Sequence, residues 1–445
     1  MKIYEDTIVY VQCVGSFATG GPELLHQFAS YLVSRGVKTY MIYTGVDITK
    51  DNPVCECYKH YNIPYTDSIV NNERNIIVVS ETATNIACFS WLKVRKVIWW
   101  LSVDNFFHSI AYNYSITESN ALKIRYEKYY SFEPDFQVEH WAQSEYARQF
   151  LIFNGIPDNN IKMVSDYLNL IFLDSLVAKR ANVQEKSKEN IVLYNPKKGL
   201  EFTNKLISYA PDIKWIPIIN MTKNEVVDLL GIAKIYIDFG NHPGKDRLPR
   251  EAAVSGAVVI TNKRGSAGNE MDVPIPSTYK FDDTEESIPE IIEKIKYIFN
   301  EYDECIKHFQ SYVDSIFREP LKFRNEVDAA LDFSLVNMRP IICLFDISYE
   351  NILKLKAKIR NSNSHRLQYV INNVFKETDM SLEKELCCID TSCARQLYLE
   401  GRINKFICSD SITDNQQSFF DLIKAIGIDD EDWDILSLRS DISKK

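Results

Sequence analysis

The segment 240–251, which reads GNHPGKDRLPRE, concentrates the side chains best suited to binding an anion. Lys245, Arg247 and Arg250 lie within six residues there, between the apolar run IYIDF and the small-residue stretch AAVSG, which predicts a helix. A helix N-terminus adds partial positive charge, so these cations predict a site for an anion, most simply a diphosphate. Glu251, at the start of that helix, would accept hydrogen bonds from ribose hydroxyls. The alternative is a solvated basic loop whose glutamate only complements the helix dipole.

Two further loops carry cations after other predicted strands. YNPKKG contains Lys197 and Lys198, and KRGSAGN contains Lys263, Arg264 and Ser266. Because the carboxyl ends of parallel strands meet at one edge of a sheet, these loops predict a single electropositive crevice together with segment 240–251. Ordinary solvated lysines are the alternative for each loop alone.

A glycine-rich loop, GSFATGG, follows the first β-branched run of the chain. Gly20 and Gly21 would let backbone N–H groups at a helix start approach a phosphate or a sugar. The loop is neither the G-x-G-x-x-G fingerprint of dinucleotide-binding proteins nor a Walker loop, so it supports neither NAD nor ATP as a cofactor. A tight strand-to-helix turn is the alternative.

Length and composition exclude several classes of protein. The chain has 445 residues, 45% hydrophobic and 25% charged, which predicts two or three globular domains. The net charge of −10 argues against a nucleic-acid-binding protein. No run approaches the roughly 18 apolar residues of a membrane span, and the start MKIYEDTIVY does not resemble a signal peptide, so a cytoplasmic location is expected. The ten cysteines lack the paired spacing of a zinc site, so no metal is predicted.

Strand and helix patterns alternate along the chain, which predicts an α/β protein with parallel, doubly wound sheets. A polar stretch at 178–190 reads as a linker, after which the same pattern restarts. We therefore predict a first domain over 1–177, a second over 191–335, and a small α/β extension over 336–445 to which the sequence assigns no role.

Three segments resemble the GT-B glycosyltransferases, in particular the retaining group with a Glu-x7-Glu motif. They are ATGGPELLHQFASYLVSRG, HWAQSEYARQFLIFNGI and DFGNHPGKDRLPREAAVSGAVVITN, and the likeness covers about residues 1–330. The resemblance implies two Rossmann-like domains that face a cleft. It also implies a nucleotide-diphosphate-sugar donor on the second domain, an acceptor mainly on the first, and neither a bound metal nor a cofactor.

The resemblance assigns roles to particular residues. Glu251 matches the second glutamate of the motif and would bind the ribose, while Lys198 with Lys245 or Arg247 would neutralise the departing diphosphate. Counting back eight positions from Glu251 reaches Pro243, where the motif has its first glutamate. Retention of the anomeric configuration is therefore left open, and the adjacent His242 is a hypothetical partial replacement.

Three residues of the first domain are candidates for the reaction centre. Asp104 and His108 follow the strand VIWWLSV, and Glu81 follows IIVVS. Asp104 would act as general base if the reaction inverts, or bind an acceptor hydroxyl or the sugar if it retains. The alternative for Asp104 is a helix cap, and the sequence does not order the three candidates.

The sequence thus predicts sugar transfer to a hydroxyl of a glycan or lipid-linked glycan, with bacterial surface-polysaccharide synthesis as the setting that the resemblance suggests. A sugar-nucleotide epimerase of the same fold and a non-catalytic nucleotide- or sugar-binding module are the alternatives. Basic and aromatic residues interleave at Trp91, Lys93, Arg95, Lys96, Trp99 and Trp100, which suits stacking of a sugar acceptor or peripheral contact with the inner face of a membrane. The alternative is core aromatic residues on a buried strand together with ordinary surface cations.

Overall fold

The computed structural model describes residues 1–48, 51–114, 138–169 and 188–336, with shorter pieces elsewhere. Those pieces are 130, 132, 172–173, 341–345, 366–371, 387–388, 391–399, 403, 405–409, 419–421, 423–424, 428 and 433–436. The chain divides into two compact units. The larger comprises Met1–Lys2, Thr7–His26 and Thr39–Asp332, and the smaller comprises Ile3–Asp6, Gln27–Lys38 and Phe333–Lys445.

The first sheet has six strands in the order β2-β1-β3-β4-β5-β6. The strands are β1 (Ile8–Val14), β2 (Lys38–Thr44), β3 (Ile76–Ser80), β4 (Arg95–Trp100), β5 (Val138–Ala142) and β6 (Ile161–Met163). The helices among them are α1 (Gly20–Ser34), α2 (Thr84–Ala87), α3 (Val103–Tyr114) and α4 (Glu145–Phe153). Every residue of β3 is buried, as expected of a parallel strand covered on both faces. The strand order reverses between β1 and β3, and ligands of open α/β sheets bind at such a switch point.

The second sheet has four parallel strands in the order β10-β9-β7-β8. The strands are β7 (Glu189–Tyr194), β8 (Lys214–Pro217), β9 (Ala233–Asp238) and β10 (Val258–Thr261), and the helices are α5 (Leu200–Tyr209), α6 (Lys223–Ile232) and α7 (Arg247–Val254). Its switch point lies between β7 and β9. The loops after these two strands are the YNPKKG loop and the segment after Phe239, which we call the basic loop (residues 240–247).

Three helices follow the second sheet: α8 (Ile288–Asn300), α9 (Tyr302–Lys307) and α10 (Gln310–Ala330). α10 buries Tyr312, Ile316, Glu319 and Phe323 at helical spacing. It contacts the helix α7, which follows β9 of the second sheet, and the strand β6 of the first sheet.

The smaller unit contains a third parallel sheet, ordered β13-β12-β11-β14-β15. Its strands are β11 (Ile341–Phe345), β12 (Arg366–Ile371), β13 (Cys387–Cys388), β14 (Lys405–Ser409) and β15 (Trp433–Leu436), with the helix α11 (Thr391–Leu399). The α/β class with parallel sheets is therefore confirmed. The predicted division of residues 1–335 into two domains stays a prediction, and residues 178–187 of the predicted linker lie outside the described residues.

Trp100, the last residue of β4, fixes where α3 begins. Its ring packs against Phe106 and Phe150 at centroid distances of 5.2 and 5.4 Å, and its Nε1–H donates to Nδ1 of His140 at 3.0 Å. Burial lowers the pKa of His140 to about 4, so the imidazole is neutral and its Nδ1 accepts this bond. The chain after Trp100 is thereby held at the carboxyl edge of the first sheet.

Lys188 ties together the ends of two helices beside the second sheet. Its Nζ donates to the carbonyl oxygens of Leu230, Ala233 and Ser255 at 3.0, 3.1 and 2.8 Å. Leu230 and Ala233 end α6 and Ser255 ends α7, where a cation complements the helix dipole.

We expect Lys188→Met to lower the free energy of unfolding by about 2 kcal/mol, because three carbonyls lose a charged donor. Urea unfolding followed by circular dichroism would measure the loss. The matched control is Lys214→Met, an exposed lysine that pairs with Glu189 at 3.2 Å and should cost less than about 0.5 kcal/mol. Equal losses in both variants would contradict the assigned role.

Candidate functional site

The basic loop of the second sheet is docked on the carboxyl edge of the first sheet. The N–H of Val103 donates to the carbonyl oxygen of Pro243 at 3.0 Å. A Cβ at Gly244 would overlap the carbonyl oxygen of Leu101 and lie 2.9 Å from Oε1 of Gln143. Only glycine allows this close approach, so Gly244 lets the loops of the two sheets meet.

Ser266 supports the basic loop from the KRGSAGN segment. Its N–H donates to the carbonyl oxygen of His242 at 2.8 Å, and its hydroxyl donates to that of Gly244 at 2.6 Å. Gly265 has a φ of 55°, and a Cβ there would overlap the carbonyl oxygen of His242. Ser266 is fully buried, so it lies inside the loop packing.

A second contact between the two sheets caps α4. The carboxylate of Asp272 accepts hydrogen bonds from the N–H groups of Glu145 at 2.7 Å and Tyr146 at 2.9 Å. Two free N–H groups in the first turn of α4 are thus satisfied by a residue of the second half of the larger unit, while the N–H of Ala147 donates to the Ser144 hydroxyl at 3.1 Å.

His242 is buried at the centre of a chain of charges whose outer members, Lys198 and Asp246, are half-buried. Its Nδ1 is 2.9 Å from Oδ2 of Asp246, and its Nε2 is 3.6 Å from Oδ1 of Asp238. Lys198 Nζ donates to the other oxygen of Asp246 at 2.7 Å, and the hydroxyl of Tyr236 donates to Asp238 at 2.9 Å. Burial disfavours the charged imidazole, but contact with Asp246 and the charge of Asp238 outweigh burial and raise the pKa of His242.

Asp238, His242 and Asp246 also form the one group among the described residues whose ligand atoms could surround a metal ion, with all three atoms within 4.8 Å. Both imidazole nitrogens face carboxylates, and Lys198 occupies the free side of Asp246. The charges of the two carboxylates are therefore already balanced by His242 and Lys198, and the three candidate ligand atoms are used in a salt-bridge network.

Arg250 lies in the interior with 1% exposure. Its guanidinium donates to Asp166 at 2.6 Å and to Glu319 of α10 at 2.7 Å. Lys245 donates to the second oxygen of Glu319 at 2.8 Å. These two predicted anion-binding cations are therefore engaged by internal carboxylates.

Arg247, at the start of α7, reaches across to the glycine-rich loop. Its Nη1 donates to a carboxylate oxygen of Glu23 and its Nη2 to the carbonyl oxygen of Gly20, the latter at 3.3 Å. A Cβ at Gly20 would lie 3.1 Å from Nε of Arg247. Asn169 donates to the other oxygen of Glu23. Gly21 adjoins this contact, and a Cβ there would lie 3.5 Å from Leu101.

Glu251 is half-buried one turn along α7 from Arg247. Burial raises the pKa of Glu251, although the charges of Arg247 and Arg250 oppose it. The charge of Lys223 also acts on Glu251 and on Glu23, so Lys223 lies near both carboxylates. Lys223 is not among the residues predicted from the sequence, although the Thr222 to Glu225 capping box that starts α6 after β8 would have placed it at the same sheet edge.

The remaining cations of the predicted crevice lie at the surface. Lys263 pairs with Asp282 at 2.7 Å and Arg264 with Asp283 at 2.5 Å. Lys197 is exposed, and no carboxylate of the described residues lies within 4.0 Å of its Nζ. Most of the cations predicted to form one electropositive crevice are paired with carboxylates. These are Lys198, Lys245, Arg247, Arg250, Lys263 and Arg264.

Glu81 lies beneath the turn between β4 and α3. It is 1% exposed, and its carboxylate accepts the N–H of Leu101 at 2.9 Å. Burial raises the pKa of Glu81 to about 7, while hydrogen bonds from the Leu101 and Ser102 backbone and from Asn105 oppose it. Glu81 thus holds the turn that carries Asp104.

Asp104 and His108 lie one turn apart on α3, the first half-buried and the second exposed. Burial raises the pKa of Tyr146, and the charge of Asp104 adds to that rise, so Asp104 lies near the start of α4. The first turn of α3 adjoins the basic loop through Val103, which brings Asp104 to the edge where the two sheets meet.

Among the described residues, no helix has both the length and the apolar character needed to cross a bilayer.

No protein-family model matches the sequence, and no curated protein sequence matches it either. Among solved structures, HepE from Anabaena in complex with UDP and glucose is similar, with a TM-score of 0.50 and 11% identity over 72% of this chain and 98% of that chain. Sucrose-phosphate synthase from Thermosynechococcus elongatus gives a TM-score of 0.46 and 11% identity over 80% and 100% of the two chains. A glycosyltransferase from Rickettsia africae gives 0.43 and 15% over 73% and 98%. The likeness to HepE concerns the fold, and the GT-B architecture implied by the resemblance is confirmed.

The raised pKa of His242 predicts a pH-dependent contribution to stability. A group whose pKa is raised on folding stabilises the protein below its unfolded pKa of about 6.5 and loses that contribution as pH rises through the folded pKa. His242→Gln should therefore lower the free energy of unfolding more at pH 6 than at pH 9, measured by urea unfolding at each pH. Asp246→Asn should flatten the same dependence. A difference between wild type and His242→Gln that stays constant with pH would refute the assignment.

Proposed function

We propose that this protein is a metal-independent glycosyltransferase that moves a sugar from a nucleotide-diphosphate donor to a hydroxyl of a glycan or lipid-linked glycan. The observation that carries the proposal is the contact between the two sheet edges. The basic loop, which adjoins the switch point of the second sheet, bonds to the chain that follows β4 of the first through Val103 and Pro243. A ligand held there would touch both sheets. The HepE structure, which contains UDP and glucose, supports a nucleotide-sugar donor.

The donor would lie mainly against the second sheet. Glu251 would accept hydrogen bonds from the ribose, and Arg247 and Lys198 would neutralise the diphosphate as it leaves. The backbone at Gly20 and Gly21 lies beside Arg247, where N–H groups at the start of α1 would approach the phosphates or the sugar. Catalysis on this proposal comes largely from positioning and from stabilisation of the leaving group.

The other predicted donor residues would act through the position of the basic loop. Arg250 and Lys245 bind Glu319, His242 binds Asp246, and Ser266 binds the backbone of Gly244. We infer that these four residues are positioning residues. Lys197 is exposed on the neighbouring loop and would contribute a longer-range positive charge.

Asp104 is the group we propose to act on the acceptor. It would take the proton of the acceptor hydroxyl while the oxygen bonds to the anomeric carbon, and the bond to the diphosphate would break with its electron pair leaving on the diphosphate. This step inverts the anomeric configuration. In a retaining reaction Asp104 would bind the acceptor hydroxyl instead. His108 is the alternative proton acceptor, and Glu81 would serve by holding the turn.

A non-catalytic nucleotide- or sugar-binding module is the second candidate. Pro243 stands where the related enzymes carry an acid, and most of the predicted anion-binding cations already have carboxylate partners. Transfer of a sugar, or slow hydrolysis of a donor without acceptor, distinguishes an enzyme from a binding module. Conversion of the donor to its epimer would instead indicate the sugar-nucleotide epimerase alternative.

We place the proposed reaction in the cytoplasm, with peripheral contact to the inner face of a membrane during bacterial surface-polysaccharide synthesis. Support for the contact comes from the stacked rings of Phe89 and Trp91, whose centroids are 5.6 Å apart. Trp91 is 65% exposed, and Lys93 follows it closely. Exposed aromatic rings beside cations suit an anionic lipid surface.

Glu251→Gln should weaken nucleoside diphosphate binding about tenfold, because the ribose loses a charged acceptor. Thermal shift with UDP, GDP, CMP and dTDP would identify the ligand, and isothermal titration calorimetry would give the affinities. Glu201→Gln is the matched control, since Glu201 is an exposed glutamate in the first turn of α5. No shift with any nucleotide would sink the transferase proposal, and an unchanged affinity would remove Glu251 from the ribose site.

Asp104→Asn should lower turnover by about 100-fold or more while leaving nucleotide affinity unchanged, because general-base catalysis is lost and donor contacts are kept. Sugar transfer or donor hydrolysis, measured alongside calorimetry, tests both statements. His108→Gln, one turn further along α3, provides the comparison. Full turnover in Asp104→Asn with loss in His108→Gln would assign the role to His108.

A further inference from the structure

Glu23 occupies a position that an anionic ligand would also favour. It lies in the first turn of α1, directly after the glycine-rich loop, and is 6% exposed. The N-terminus of a helix attracts negative charge, and free N–H groups there commonly bind phosphate. In this protein a carboxylate of the chain itself already satisfies that preference.

Both oxygens of Glu23 are held from other segments of the larger unit. Nη1 of Arg247 donates to one oxygen, and Nδ2 of Asn169 donates to the other. Burial raises the pKa of Glu23, but the charge of Arg247 and the bond from Asn169 outweigh burial and lower it. Glu23 is therefore a charged carboxylate at neutral pH, bound to the arginine proposed to neutralise a diphosphate.

The guanidinium of Arg247 retains an N–H donor that is not hydrogen-bonded within the described part of the chain. Nη1 binds Glu23 and Nη2 binds the carbonyl oxygen of Gly20. Nε is buried and has no hydrogen-bond partner among the described residues, and it faces Gly20. An arginine offers five N–H donors in a fixed fork, which matches the oxygens of a phosphate. A phosphate beside Gly20 would reach the Nε–H and compete with Glu23 for the fork.

The charges around this contact cancel before any ligand arrives. The acids whose charges act within this group are Glu23, Glu251 and Asp166, and the bases are Arg247, Arg250 and Lys223. An anion gains little from a group of charges that sums to zero. It gains more once a carboxylate has left the arginine, because the remaining charge is then positive.

We infer that Glu23 is the exchangeable counter-ion of Arg247: it holds the guanidinium while the site is empty and releases it when a diphosphate binds beside Gly20. This inference rests on the proposed function, since it uses the same arginine. Each binding event must then offset the loss of the Glu23 to Arg247 ion pair. Glu23 lowers the affinity of the site for every anion and favours departure of the diphosphate product.

The test is calorimetry on the full chain with two probes, UDP and inorganic pyrophosphate. Glu23→Gln keeps the shape of the side chain and one acceptor oxygen but removes the charge that competes with the ligand. We expect it to bind both probes about tenfold more tightly than wild type. Glu145→Gln is the matched control, because Glu145 also lies in the first turn of a helix and pairs with an arginine, Arg148, at 2.8 Å.

A double-mutant cycle separates a counter-ion from a residue that merely supports the loop. In an Arg247→Met background, Glu23→Gln should give no gain in affinity, because the exchange acts through the guanidinium. Equal or weaker binding by Glu23→Gln in the wild-type background would overturn the inference, as would a gain that persists without Arg247. Thermal unfolding verifies that each variant is folded.

The outcomes also distinguish this inference from the proposed function. If pyrophosphate binds more tightly to Glu23→Gln while no nucleoside diphosphate binds either protein, the counter-ion role stands and the nucleotide-dependent function fails. If UDP binds wild type and Glu23→Gln equally, the function stands and the counter-ion role fails. Should Glu23→Gln not fold, Glu23→Asp retracts the carboxylate by one methylene and is expected to give an intermediate gain, with no gain refuting the role.

Discussion

The buried guanidinium of Arg250 is the interaction on which the geometry of the site depends. It joins Asp166, which follows the last strand of the first sheet, to Glu319 on the helix α10, which contacts β6 of that sheet and the helix α7. A charge without a partner in the interior is strongly unfavourable, so all three groups must stay together. Because Arg250 belongs to α7, this requirement also fixes the start of α7 and with it the basic loop.

Carboxylates of the chain neutralise most of the cations of the proposed donor site. The chain is acidic overall, with a net charge of −10, and its carboxylates are drawn to the cations of the proposed donor site. Deep pairs such as Lys245 with Glu319 build the loop, whereas exposed pairs such as Lys263 with Asp282 contribute little. The pair of Arg247 with Glu23 differs from both, since it lies beside the glycine-rich loop and retains an unused donor.

The three candidates for the proposed reaction centre, Glu81, Asp104 and His108, differ in burial. Glu81 is enclosed and bonded to the backbone that follows β4, which suits a supporting role. Asp104 lies in the first turn of α3, which follows this backbone, and it is half-buried and near the basic loop. The raised pKa of Glu81 alone would have made it the more attractive base, but hydrogen-bond geometry assigns it to the turn.

The sequence by itself determined the α/β class and the loops that carry the candidate residues, because buried parallel strands and helix starts leave short-range patterns. The burial of β3 follows from its run of apolar residues, and the close backbone approach at Gly244 follows from the presence of a glycine in the basic loop. Only the tertiary structure decided which charges meet. Glu23 and Arg247 are 224 positions apart, and Asp166 and Arg250 are 84 apart. Such pairs form through the packing of separate elements, and no local pattern encodes whether a lysine or arginine will meet a ligand or a carboxylate of its own chain.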